Sequence, residues 1–169
     1  MSREILIVGS GFMGTSMAHA LKNSDISCLE THQAYLATLK NLSIYKNIFS
    51  DISDVEGKFD LIIVCTRQKD VLEYISYFST KFPDSLITDI SSSKNFLQKA
   101  DLPSNFISSH PICGSHKVGP EDAESDLFED KEVIIIDSAH HENLNKLESF
   151  WNSLGAKTTV MNFSEHDKN

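Results

Sequence analysis

Positive charge is scarce in this chain: 15 lysines and arginines stand against 24 aspartates and glutamates, a formal net charge of −9 at pH 7. A nucleic-acid surface needs a basic stripe, and this sequence offers none. An anionic small molecule must then be drawn in by a local cationic site rather than by the field of the whole protein. Cysteine is equally sparse. Cys28, Cys65 and Cys113 form an odd, scattered set, which fits a reducing cytoplasmic setting and excludes a disulfide framework. No signal-peptide pattern is visible, and no apolar run approaches the ~20 residues that span a bilayer. The expectation is a cytoplasmic protein with no membrane and no nucleic-acid partner. With 40% hydrophobic and 23% charged residues in a chain of 169, the composition is that of one globular domain.

What is present is concentrated near the N-terminus. The apolar run Ile5, Leu6, Ile7, Val8 leads into Gly9-Ser10-Gly11-Phe12-Met13-Gly14. A strand feeding a glycine-rich turn that opens a helix is the dinucleotide-binding pattern. Gly9 allows the tight turn, Gly11 lets backbone approach a pyrophosphate, and Gly14 lets helix and strand pack closely. The N–H groups at the helix start, around Phe12 and Met13, then face the phosphates at the positive end of the dipole. Glu30 follows Gly11 by about 20 residues, at the end of a second apolar run over 26–29. A carboxylate there accepts the ribose hydroxyls and repels a 2′-phosphate. Thr31 and His32 follow it and no arginine does, so NAD is expected rather than NADP.

Apolar runs alternate with helical patterns along the rest of the chain. Strands are expected over 60–65, 85–90, 106–109, 132–137 and 157–161. Helices are expected over 35–42, 68–82, 93–100 and 141–154. The run over 60–65 is apolar without alternation, as in parallel strands covered on both faces. Repeated β-α units predict a doubly wound, mostly parallel α/β sheet of the Rossmann type. In such sheets ligands bind beyond the carboxyl ends of the strands. The loops after Val8, Cys65, Ile90 and Ser109 are therefore the ones to inspect, with Thr66 and Arg67 at the cofactor's edge. The segment from 110 to 128 is the longest without a clear element.

Two of these loops carry chemistry. One reads Asp89-Ile90-Ser91-Ser92-Ser93-Lys94. A helix N-cap explains Ser92 or Ser93, but Lys94 sets a cation in the first turn, against the dipole. The other reads His110-Pro111-Ile112-Cys113-Gly114-Ser115-His116-Lys117-Val118-Gly119. A histidine at a strand's carboxyl end suits a general base near neutral pH. Three other readings stay open at this point: a metal site from His110, Cys113 and His116, a Cys113 nucleophile, and a plain histidine in a turn. The metal reading lacks a fourth ligand at suitable spacing, and no metal is expected.

Taken together, Gly9-x-Gly11-x-Met13-Gly14, the block Asp89 to Lys94, and His110-Pro111-x-x-Gly114-Ser115-x-Lys117-x-Gly119 resemble prephenate dehydrogenases. So do Asp126-Leu127-Phe128 and Trp151-x-x-Leu154-Gly155-Ala156. The resemblance covers nearly the whole chain. It implies NAD-dependent oxidative decarboxylation of prephenate to 4-hydroxyphenylpyruvate in tyrosine biosynthesis, related members accepting arogenate. It implies that His110 accepts the proton of the ring hydroxyl, that Ser92 hydrogen-bonds that hydroxyl and His110, and that Lys94 holds the geometry or a substrate carboxylate. Glu165-His166-Asp167 looks like the beginning of the family's helical second domain, through which members homodimerise. The domain reading is 1–162 for the NAD-binding domain and 163–169 for the start of the helical one. The chain departs from the usual family pattern in Ser91, where glycine is usual, and in Arg67, where proline is usual. Other readings are a non-catalytic dinucleotide-binding module, and a member of the wider β-hydroxyacid-dehydrogenase-like group such as an imine reductase. The His110 block argues against the latter.

Overall fold

The computed structural model describes residues 3–21, 24–137 and 142–167. Strand β1 (Arg3–Val8) runs into α1 (Phe12–Ala20), β2 (Ser24–Leu29) and α2 (Gln33–Leu42), then the short β3 (Asn47–Phe49). Next come β4 (Leu61–Val64), α3 (Gln68–Lys81), β5 (Leu86–Asp89) and a single turn of helix, α4 (Asn95–Gln98). The last part holds β6 (Ser108–Pro111), β7 (Glu132–Ile136), α5 (Leu144–Ser153), β8 (Lys157–Met161) and α6 (Phe163–Asp167).

The first five strands form a parallel sheet in the order β3-β2-β1-β4-β5. The order reverses between β1 and β4, which opens a crevice at their carboxyl ends. The strands are buried on both faces because helices cover both. Ile5, Ile7 and Ile63 join Met17, Phe128, Leu147 and Trp151 on one side. Leu6, Val8, Ile62 and Val64 join Val71, Ile75, Phe78 and Leu97 on the other. Strand alternation sends neighbouring apolar residues to opposite cores, which is why these runs read as continuously apolar. In α3, Val71, Ile75 and Phe78 are the buried stripe, spaced to recur on one helix face.

The remaining strands depart from a single doubly wound sheet. β6, β7 and β8 form a three-stranded ladder, with β6 antiparallel to β7 and β7 parallel to β8. A parallel bridge between Ile87 and Phe106 joins this ladder to β5. The sheet is thus mostly parallel, as expected, with one antiparallel pairing near its far edge.

Four sequence expectations need correction. The strand expected over 106–109 lies at Ser108–Pro111, because Phe106 and Ile107 are engaged by Ile87 and the ladder with β7 begins after them. His110 is therefore inside the strand's last turn of pairing rather than in the loop beyond it. The helix over 93–100 shrinks to Asn95–Gln98. Its cap position is Lys94, without a side-chain cap, so neither Ser92 nor Ser93 caps it. The short strand β3 was not anticipated, whereas α6 falls within 163–169, where a helical segment was expected to begin. The helix expected from 141 begins at Leu144, and His141 lies outside the described residues.

Trp151 pins α5 to this architecture. It is fully buried between Phe128 and Phe150, with ring centroids 5.6 and 5.1 Å away. Its indole N–H donates to Ser109 Oγ at 3.0 Å. Trp151→Ala is expected to destabilise the domain by about 3–5 kcal/mol, read from the urea midpoint of unfolding.

Candidate active site

The glycine-rich turn is built as its pattern requires. Gly9 sits at φ +94°, and a Cβ there would lie 2.9 Å from the Cys65 carbonyl oxygen. At Gly14 an added Cβ would lie 2.2 Å from the Gly9 carbonyl oxygen, so α1 crosses β1 at a distance only glycine permits. At Gly11 it would meet the Val118 carbonyl oxygen at 2.8 Å. The clearance at Gly11 thus accommodates a loop of the protein itself. Val118 Oaccepts from the Phe12 N–H at 2.9 Å, and the Tyr35 hydroxyl donates to the same oxygen at 3.5 Å.

A cleft of about 580 Å³ lies beside this turn. Gly9, Gly11, Phe12 and Met13 line it from β1, Glu30, Thr31 and His32 from β2, and Cys65, Thr66 and Arg67 from β4. Every predicted cofactor residue except Gly14 lines it, and Gly14 works from behind by fixing α1. Glu30 is buried, and its carboxylate is already aimed. Oε1 accepts from the Ser10 N–H and Oε2 from the His32 N–H, both at 2.8 Å. Each oxygen retains a lone pair for a ligand hydroxyl. Arg67 stands 77% exposed at the start of α3, with Asp70 3.9 Å away. The Phe12 ring belongs to the core, so what Phe12 offers a ligand is backbone. Tyr35, Tyr74, Lys117 and Val118 also line the cleft and were not anticipated. Their separation in sequence left no local signal.

The second half of the site is a buried polar network at the carboxyl end of β5. Lys94 is fully buried, and its ammonium donates to Asp89 Oδ2 at 3.0 Å and to the Ser109 carbonyl at 2.7 Å. Asp89 Oδ1 accepts from Ser108 Oγ at 2.5 Å, and Oδ2 from the Ser91 N–H at 3.1 Å. Ser109 Oγ lies 2.7 Å from Thr88 Oγ1. β5 is thereby tied to the two residues that precede His110. Burial lowers the Lys94 pKa and the adjacent Asp89 opposes that shift. Two of its three donors are thus engaged inside the protein, and the side chain is fully buried.

His110 is half-buried beyond this network. Its Nδ1 lies 3.0 Å from His166 Nε2, and the rings meet at 64°. Burial, the Lys94 charge and His166 lower its pKa to about 4, with Asp89 opposing them. The imidazole is therefore neutral at physiological pH and able to accept a proton. β6 runs parallel to β5, so His110 emerges on the same side of the sheet as the cleft. Asp89 is also felt by Cys65 in the cleft wall, where burial first and Asp89 second raise the thiol pKa. Ser92 is exposed on the loop after β5, and the ring partner of His110 is His166.

The competing chemistries of the His110 loop lose ground. Burial pushes the Cys113 thiol up to about 11, which disfavours a nucleophilic thiolate. His110, Cys113 and His116 do not converge: among the described residues no group of three or more His, Cys, Asp or Glu side chains could hold a metal. Among the described residues, too, no helix is long and apolar enough to cross a membrane.

A parallel sheet with a strand-order reversal, a glycine turn and a carboxylate at the end of β2 define a Rossmann-type dinucleotide-binding domain. The family assignment follows from comparison. Residues 17–160 match the family model described as prephenate dehydrogenase, nucleotide-binding domain, and the chain belongs to that family. It is 27% identical to the cyclohexadienyl dehydrogenase of Zymomonas mobilis, over 98% of this chain and 60% of that protein. It is 29% identical to the prephenate dehydrogenase of Bacillus subtilis, over 99% of this chain and 48% of that protein. Among solved structures, prephenate dehydrogenase from Aquifex aeolicus in complex with hydroxyphenyl propionate and NAD+ superposes with a TM-score of 0.86 at 25% identity, over 99% of this chain and 62% of that one. The chain thus spans about half to three fifths of the length of these relatives.

The His110 environment has a consequence for stability. Its folded-state pKa of about 4 lies below the ordinary 6.5, so the unfolded chain binds more protons between those values. Stability is expected to fall as the pH drops through that window. In His110→Gln this contribution disappears, and the difference between the two stability-versus-pH curves, from urea unfolding, isolates it.

Proposed function

We propose that this chain is the cofactor-binding part of an NAD-dependent dehydrogenase that oxidatively decarboxylates prephenate or arogenate. The observation that carries this reading is a half-buried imidazole at the end of the sheet where the cleft opens, its strand tied down by a buried ion pair. The cleft itself fits a dinucleotide: Gly9 and Gly14 have no room for a Cβ, and Glu30 presents a pre-oriented carboxylate.

When bound, NAD accepts a hydride from the substrate carbon that bears the ring hydroxyl. Glu30 would hold the adenosine ribose, the turn over 9–14 would take the pyrophosphate, and Thr66 and Arg67 line the cleft where the cofactor would lie. His110 takes the hydroxyl proton as the carbon–oxygen double bond forms, and returns it once loss of carbon dioxide makes the ring aromatic. Lys94, through Asp89 and the Ser109 carbonyl, keeps the backbone before His110 in place. Ser92, in the exposed loop after β5, is assigned to the substrate hydroxyl. Residues from 163 onward are read as the start of a helical domain that completes the substrate site and pairs protomers, and the protein is read as cytoplasmic.

NAD titration calorimetry tests the cofactor half. Glu30→Ala removes a charged acceptor and is expected to weaken NAD binding roughly 10- to 100-fold, an interaction of about 1.5–3 kcal/mol. The chemical half is tested by NADH formation with prephenate. His110→Ala is expected to lower turnover roughly 10²–10⁴-fold while the NAD affinity stays put. Binding of NAD without turnover in the unaltered chain favours a dinucleotide-binding module instead. Loss of NAD binding together with turnover in His110→Ala assigns His110 to folding.

A further inference from the structure

The helix that follows β8 places a second imidazole and a carboxylate in line with His110. His166 Nε2 is 3.0 Å from His110 Nδ1, and His166 Nδ1 is 3.4 Å from Asp167 Oδ1. The His166 side chain is nearly buried, and Phe163 packs α6 against the core on the side of Val8 and Leu29. We propose that Asp167 and His166 act as positioning residues that set the tautomer of His110, leaving its Nε2 as the free lone pair that meets the substrate.

The argument is one of donor and acceptor counting. An ionised carboxylate only accepts hydrogen bonds, and a neutral imidazole carries a single N–H. Asp167 therefore draws the His166 proton to Nδ1. His166 Nε2 is then an acceptor, and the partner that donates to it must be His110 Nδ1–H. With its single proton on Nδ1, His110 is left with a basic Nε2. The other charges facing His110 do not compete for either ring nitrogen. The Lys94 ammonium is committed to Asp89 and the Ser109 carbonyl, and Asp89 is committed to Lys94, Ser108 and the Ser91 N–H.

Resting on the dehydrogenase reading, the step runs as follows. The substrate O–H bond breaks and its proton bonds to His110 Nε2, while the Nδ1–H stays with His166. The imidazolium so formed is balanced by Asp167 across His166. When the carbon–carboxylate bond breaks, its electron pair enters the ring, and Nε2 hands the proton back to the ring oxygen, so no net proton is consumed. Which nitrogen of a histidine is free is fixed by the hydrogen bond the other makes. A wrong tautomer would present an N–H where a lone pair is needed.

The test is the ring-nitrogen chemical shifts of His110 in the chain itself, at neutral pH and without substrate, in the unaltered protein, His166→Gln and His166→Phe. Glutamine still offers an oxygen to the Nδ1–H, and phenylalanine does not. Expected is an Nδ1–H tautomer in the first two and a shift to Nε2–H in His166→Phe. An Nε2–H tautomer in the unaltered protein, or the same tautomer in all three, overturns the inference. Turnover supplies the second readout: kcat is expected to fall roughly tenfold or more in His166→Phe and to recover in His166→Gln, with NAD affinity unchanged. Equal kcat in all three overturns the catalytic role. If the unaltered chain shows no prephenate turnover, independent catalysis by this chain is overturned, and the ring-nitrogen shifts still decide the tautomer.

Discussion

The ion pair between Lys94 and Asp89 is the constraint on which the rest of the site depends. Both side chains are fully buried, so each has surrendered its hydration. In a low-dielectric interior such a pair repays its desolvation only with good geometry and with its remaining hydrogen-bond capacity satisfied. Both conditions hold here. Asp89 collects Lys94, the Ser108 hydroxyl and the Ser91 N–H, and Lys94 adds the Ser109 carbonyl. A pair of leucines would fill the space more simply. What they would not do is bind the end of β5 to two successive residues of β6, and so dictate where the next residue, His110, leaves the sheet. Burial is the main reason the His110 pKa is lowered, and the same ammonium adds to it through space. The ion pair therefore bears on the position of the imidazole and, second to burial, on its protonation state.

The cofactor side follows a related logic with different means. Glu30 directly follows the buried strand β2, and two backbone N–H groups hold its carboxylate at the cleft wall. The side chain loses little further freedom when a ribose arrives, which lowers the ordering cost of binding. The glycines work by exclusion: at Gly9 and Gly14 the space for a side chain is taken by backbone carbonyls. A rigid turn, a fixed carboxylate and a fixed imidazole are thus carried at the carboxyl ends of three strands, β1, β2 and β6.

Much of this was legible in the sequence where local pattern and structure coincide. The apolar runs of β1, β4 and β7, the glycine turn and Glu30 all declare themselves within a few residues. β3 did not, because three residues with one polar and two half-buried side chains carry no usable period. The register of β6 was misjudged because Phe106 and Ile107 are apolar for a different neighbour, Ile87, than the residues that follow. Lys94 was legible as unusual but not as interior: its counter-charge Asp89 stands five positions back, but the strand that closes over both, with the Ser109 carbonyl, comes from 15 positions on. The pairing of His110 with His166 spans 56 positions and rests entirely on how β8 and α6 return to the sheet. Local sequence carries no trace of such a contact.

The loop between β6 and the Pro120–Asp122 turn joins the two halves of the site. It leaves the sheet after Ile112, whose N–H still bonds the Glu132 carbonyl, and comes to rest on the N-terminus of α1, where the Val118 carbonyl takes the Phe12 N–H. An N–H at a helix start has no partner within its own helix and must find an acceptor elsewhere. A neutral carbonyl satisfies it, but an anion gains additionally from the dipole. Replacing Val118 by a phosphate oxygen is therefore an exchange of acceptors, and its yield is only the difference between them. The tethers on the loop make that exchange inexpensive. Val118 is 73% exposed, and the Lys117–Glu124 pair at 2.6 Å is half-exposed, so both tethers lie at the surface, where solvent weakens them. The loop thus connects the start of α1 to the strand that carries His110 by backbone, and its lightest hold is the one a phosphate oxygen would compete for.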